Sequence, residues 1–112
     1  MYVVIAGIGL VGGELARRLV ENKHDVVVID KDKEICDRIY AETGVVAIHG
    51  NVSQVETLSE ANVHKADFLA ATTGSDADNL ACAILAKSFG TSTMFVLVMK
   101  TNNVKQLKGD FK

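Results

Sequence analysis

Cysteine, net charge and long apolar runs are all scarce in this chain of 112 residues. Its two cysteines, Cys36 and Cys82, belong to neither a CxxC pair nor a Cys/His cluster. Buried free thiols on helices are therefore expected rather than metal ligands. A net charge of −2 excludes the basic footprint of a nucleic-acid or membrane-surface binder. No apolar stretch approaches the roughly 18 residues that span a bilayer, so direct membrane insertion is not expected. No basic segment precedes the first apolar run, which argues against a signal peptide and for a cytoplasmic location. Histidines number three, no Tyr-x-x-x-Lys pair occurs, and no ligand-type residues show zinc or calcium spacing. Neither catalytic nor metal-binding residues are expected.

What is present is an ordinary globular composition, 48% hydrophobic and 23% charged. A single domain over residues 1–112 fits that length. Strand-like and helix-like stretches alternate along the chain. YVVIA at Tyr2–Ala6, VVVI at Val26–Ile29, VVAI at Val45–Ile48, FLAA at Phe68–Ala71 and MFVLVM at Met94–Met99 read as strands. Val11, Leu15 and Leu19 repeat at helical spacing in a helix ending near Asn22. A second helix carries Ile35 and Ile39, with Asp32 as its cap and Gly44 as its stop. A short helix covers about Val55–Ala61, and a longer one runs from Ser75 or Asp76 to about Phe89, ended by Gly90. The tail begins like another capped helix. Strands apolar on both faces, alternating with helices, imply a parallel sheet covered on both sides. The expected architecture is a Rossmann-like, doubly wound α/β fold with strand order 3-2-1-4-5. A sixth strand is missing, so a truncated C-terminal end is expected.

The first strand runs into GIGLVG, residues Gly7 to Gly12. A GxGxxG pattern alone is weak evidence, but here a strand precedes it, a helix follows and an acid closes the next strand. Gly7 permits the tight turn, Gly9 lets backbone approach a pyrophosphate, and Gly12 allows close helix packing. The helix opening near Leu10 aims its unpaired N–H groups at whatever sits there. Asp30 stands where a carboxylate can accept from both ribose hydroxyls of an adenosine. The same charge disfavours NADP, although Lys31 beside it partly offsets that repulsion. Beyond the third and fourth strands, Asn51 is placed to meet an adenine edge and Thr72 or Thr73 to line the pyrophosphate or second nucleoside. Asp76 and Asn79 read as helix cap and first-turn residues. Of the histidines, His49 lies near this crevice, while His24 and His64 lie away from it.

GIGLVGGELARRL, VVVIDKD, GN and ATTGSDADNLACAILAKSFG together resemble the nucleotide-binding regulatory domains of potassium channels and transporters, of Trk/Ktr and RCK type. The resemblance covers nearly all of residues 1–108, and TTGSDADNLACAILAK is its most specific segment. It implies a cytosolic, non-catalytic domain that forms homodimers or higher rings, binds NAD(H) or else ATP/ADP, and gates a potassium-conducting membrane subunit. The cofactor contacts are then expected at Gly7, Ile8, Gly9, Leu10, Val11 and Gly12, at Asp30 and Lys31, at Asn51 and Val52, and at Thr72, Thr73 and Gly74. Family members often carry Asp where Asn51 stands, and Arg near Leu10 and about where Leu97 stands. Losing both arginines disfavours ATP relative to NAD. Two other readings stay open: the cofactor-binding half of an NAD-dependent dehydrogenase or nucleotide-sugar enzyme, and a ligand-free assembly module.

Overall fold

The computed structural model describes residues 1–89 and the backbone of residues 94–97. In chain order the elements are β1 (Tyr2–Ala6), α1 (Leu10–Glu21), β2 (Asp25–Asp30), α2 (Lys33–Thr43), β3 (Val46–His49), α3 (Val55–Glu60), a 3-10 turn (Val63–Lys65), β4 (Phe68–Ala71), α4 (Asp76–Ser88) and β5 (Met94–Leu97). The strands form one parallel sheet in the order β3-β2-β1-β4-β5, as expected. Gly90, Val98, Met99 and the tail lie outside the described residues.

Alternation along β1 divides the core between the two faces of the sheet. Val3 and Ile5 join Val26, Val28 and Ala70 beneath α1 and α2, where Ala16, Cys36 and Ile39 meet them. Val4 and Ala6 join Ile29, Leu69 and Ala71 on the other face, covered by Leu58, Val63, Cys82 and Ala86. Ile5, Ile29, Leu58 and Leu69 are fully buried, each worth about 1.5–3 kcal/mol of hydrophobic stabilisation.

Local chemistry fixes the helix ends. The Asp32 side chain accepts from the Glu34 N–H at 2.9 Å, and Gly44 closes α2 in the left-handed conformation at φ +75°. Ser75, rather than the expected Asp76, caps α4, its hydroxyl accepting from the Asp78 N–H at 3.2 Å, and Asp76 is the first helical residue. Several details depart from the sequence reading, among them the 3-10 turn at Val63–Lys65 and the start of β2 at Asp25. The strand β3 starts at Val46, the Val45 N–H donating instead to Thr43 Oγ1 at 3.2 Å. In α1, Val11 is exposed and the buried face is Gly12, Gly13 and Ala16. Small residues, rather than the expected leucine stripe alone, bring α1 close to the sheet.

Both thiols are buried, and burial pushes Cys82 up to about 12 from an ordinary 9.0. An unfolded thiol ionises first, so this stabilisation is complete below about pH 9 and fades as pH climbs towards 12. Denaturant titrations should show the stability difference between the native chain and Cys82→Ala shrinking across that window. A constant difference would mean that the fold does not hold the thiol neutral.

Candidate nucleotide site

Four strand ends converge at one edge of the sheet. There β1 sits between β2 and β4, so chains leaving it and β4 turn to opposite faces and open a crevice beyond the carboxyl ends. Backbone bonds carry the ladder into the loops: the Gly7 N–H donates to Ile29 O at 2.8 Å, Gly50 N–H to Asp30 O at 2.9 Å, and Thr72 N–H to Ala6 O at 2.8 Å.

The three motif glycines are glycines for three different reasons. Gly7 has φ +102°, and a Cβ there would lie 2.6 Å from the Thr73 nitrogen and 2.7 Å from its Cα. A Cβ on Gly12 would lie 2.0 Å from Gly7 O and 2.6 Å from Thr72 Oγ1. Both are locked by the protein's own packing. Around Gly9, in contrast, nothing approaches within 4 Å of a built Cβ. Gly9 is exposed, opens α1 and offers no side-chain cap. The first-turn N–H groups of α1 and the positive end of its dipole therefore meet open space.

Asp30 closes the other side. One carboxylate oxygen accepts from the Ile8 N–H and the other from the Asp32 N–H, both at 2.9 Å. The first bond ties the glycine loop to the tip of β2. An ionised carboxylate has about four acceptor positions, so roughly two stay open for a ligand. His49 Nε2 lies 2.9 Å from Lys31 O and clips β3 to the same corner.

The β4–α4 loop is built around Asn79, which is fully buried. Its Oδ1 accepts from the Thr73 N–H at 2.9 Å and lies 2.6 Å from Thr73 Oγ1, while its Nδ2 donates to Thr73 O at 3.1 Å. The first-turn position expected for Asn79 is correct, and its work is to brace the loop. Thr72 points inward and donates to Gly7 O at 2.7 Å.

The result is a cleft of about 370 Å³ lined by Gly7, Gly9, Asp30, Lys31, Ile35, Gly50, Asn51, Val52, Thr73, Gly74, Ser75 and Asp78. Eight of the anticipated contacts are thus brought together. Ile8, Gly12 and Thr72 stand behind the wall as supports. The side chains of Leu10 and Val11 are exposed beside Glu14, Leu15 and Arg18, so what these two residues offer the cleft is backbone N–H at the first turn of α1. Four lining residues were not anticipated as contacts. In the sequence Ile35 reads only as a helix-face residue, Ser75 only as a possible start of α4 and Gly50 only as the neighbour of Asn51, while nothing singles out Asp78. Their signal was position, since each follows a strand end directly or lies in the first turn of a helix facing the crevice. Cys36 lies behind Asp30, and burial, reinforced by the Asp30 charge, raises its thiol and keeps it neutral. His24 and His64 do not line the cleft. Among the described residues no group of three or more potential metal ligands occurs, and no helix is long and apolar enough to cross a membrane.

The sequence profile described as the TrkA-N domain matches residues 3–110. A Trk system potassium uptake protein TrkA homolog from Methanothermobacter thermautotrophicus is 35% identical over 96% of this chain and 50% of its own length. A protein of the same name from Archaeoglobus fulgidus is 43% identical over 88% of this chain and 22% of its own. The chain thus spans half or less of these relatives. Among solved structures, the GsuK channel bound to NAD superposes with a TM-score of 0.80 at 21% identity, covering 96% of this chain and 19% of that one. The Kef C-terminal domain of Shewanella denitrificans, in its AMP-bound form, gives 0.73 at 19% identity, over 85% and 57%. These two likenesses show the Rossmann-like fold.

Gly7→Ala should cost more than about 3 kcal/mol, combining left-handed strain with a backbone collision. Gly9→Ala should cost about 1 kcal/mol or less, since only a modest cap preference is lost. Urea denaturation of the two variants checks the contrast; equal losses would contradict the different packing of the two glycines.

Proposed function

Because this chain belongs to the TrkA-N domain family, we propose that it is a nucleotide-sensing regulatory domain of a potassium transport system, binding NAD(H) in the cleft and leaving it chemically unchanged. The observation that carries the reading is the open space at Gly9, between the first turn of α1 and the Asp30 carboxylate. The protein's own packing accounts for Gly7 and Gly12 and makes no demand on Gly9. A pyrophosphate seated on the α1 N–H groups does make one.

In this reading the adenosine ribose takes the free acceptor positions of Asp30, with Ile35, Asn51 and Val52 around the adenine. The pyrophosphate lies over Gly7–Gly12, and Thr73 and Gly74 meet the part beyond it. The same site admits ATP or ADP as the alternative ligand. The names and titles of similar proteins agree: the curated relatives are named for potassium uptake, and the two solved neighbours hold NAD and AMP. No histidine lines the cleft and Thr73 Oγ1 is engaged within its own loop. A sensor needs nothing more, whereas a dehydrogenase needs an acid or base poised at the nicotinamide.

Signalling follows from differential affinity. Ligand contacts spread over loops from four strands, so occupancy favours one arrangement of those loops. Only that preference can do work on a partner. The partner in this proposal is a potassium-conducting membrane subunit, reached from its cytosolic side by a homodimer or ring of these domains.

Calorimetric titration should give NADH at least about tenfold tighter than NADPH, because a 2′-phosphate would face Asp30. Asp30→Ala should weaken NADH about tenfold or more and erase that preference. The variant also loses the Ile8 bond, so its folding is checked in parallel by thermal melting. Preferential NADPH binding by the native chain would remove the ribose role of Asp30.

A further inference from the structure

Two charged groups in the cleft take no part in holding the fold together, Lys31 beside Asp30 and Asp78 at the other end. Of the charged lining residues Asp30, Lys31 and Asp78, Asp30 is engaged by two backbone N–H groups. The backbone N–H of Asp78 is bound by the Ser75 hydroxyl. Its carboxylate makes no hydrogen bond or ion pair among the described residues. The first turn of α4 already holds a second acid, Asp76, which suits the helix dipole without facing the cleft.

Strand order sets the direction in which a ligand lies. Asp30 stands at the end of β2, the glycine loop follows β1, and Thr73, Gly74, Ser75 and Asp78 follow β4. A nucleotide with its ribose at Asp30 and its pyrophosphate on the loop runs its far end towards Asp78. An ionised carboxylate only accepts hydrogen bonds. A second nucleoside presents hydroxyl donors there, whereas a terminal phosphate presents only further negative charge.

We propose that Asp78 is the specificity determinant of this cleft, accepting ligands whose far end carries hydroxyls and rejecting those whose phosphate chain continues. The assignment rests on the reading of the cleft as a nucleotide site. It makes a dinucleotide the fitting ligand and a nucleoside triphosphate the disfavoured one.

The test uses the full chain at low salt with EDTA, so that no divalent cation bridges carboxylate and phosphate. ADP and ATP share everything up to the second phosphate. Calorimetry should show ADP binding about tenfold tighter than ATP, and 0.5 M salt should shrink that ratio. Asp78→Asn keeps shape and the backbone cap. It should bring the two nucleotides within about threefold and weaken NAD+ about threefold or more, with ADP within about twofold of the native value. Asp76→Asn, which removes the same charge outside the cleft, should leave the ratio alone. An unchanged ratio in Asp78→Asn, or an equal shift in Asp76→Asn, overturns the assignment while leaving ADP binding and the nucleotide site intact. Absence of binding by all three nucleotides removes the site itself, and the role of Asp78 with it.

Discussion

The hydrogen bond from the Ile8 N–H to the Asp30 carboxylate is the interaction on which the site depends. It joins the loop after β1 to the tip of β2, two pieces of chain that the sheet brings side by side. The second carboxylate oxygen, held by the Asp32 N–H, also fixes the approach to α2. One side chain thereby sets three things: the path of the glycine loop, the start of α2, and the negative charge at the cleft's edge. A ligand ribose at Asp30 would share a group that already positions the loop beneath the ligand's own phosphates. In the proposed reading, ribose and phosphate recognition are coupled through that carboxylate.

On the opposite side, the loop is held by contact rather than charge. Gly7 lies against the Thr73 backbone and Gly12 against Gly7 O, with the Thr72 hydroxyl closing the gap. Asn79 in turn fixes the conformation of Thr73 from inside the protein. The donors at the opening of α1 therefore sit in a frame braced on both flanks. Such preorganised backbone recognises an anion without a basic side chain in the loop, which fits the presence of Leu10 there.

Much of this was legible in the sequence because it is written in local chemistry. Asp32 and Gly44 mark both ends of α2, since a carboxylate cap and a left-handed glycine need only their immediate neighbours. The apolar runs gave the strands, and their alternation with helices gave the order. The Gly7–Gly12 loop and Asp30 were readable because their spacing reflects one strand-helix-strand unit. What escaped depended on tertiary context. Adjacent threonines look alike in sequence, yet Thr72 supports the glycine loop and Thr73 faces the cleft. Val11 fits a helical apolar stripe, but α1 rests on Gly12, Gly13 and Ala16, and Val11 lies off that face, exposed. The 3-10 turn at Val63–Lys65 is too short to carry a period. Asp78 entered the lining only because α4 begins at the crevice and sends its first turn along it.

The physical account is of a braced backbone cradle with an acid at either end of its cleft. The function proposed for it is to bind a nucleotide and sense it. The most direct measurement is a crystal structure grown with excess NADH. The account predicts intact cofactor in the cleft, its pyrophosphate against the N–H groups opening α1 and its adenosine ribose hydroxyls donating to Asp30. A cleft holding only solvent, or a cofactor bound with its nicotinamide half at Asp30, would contradict it.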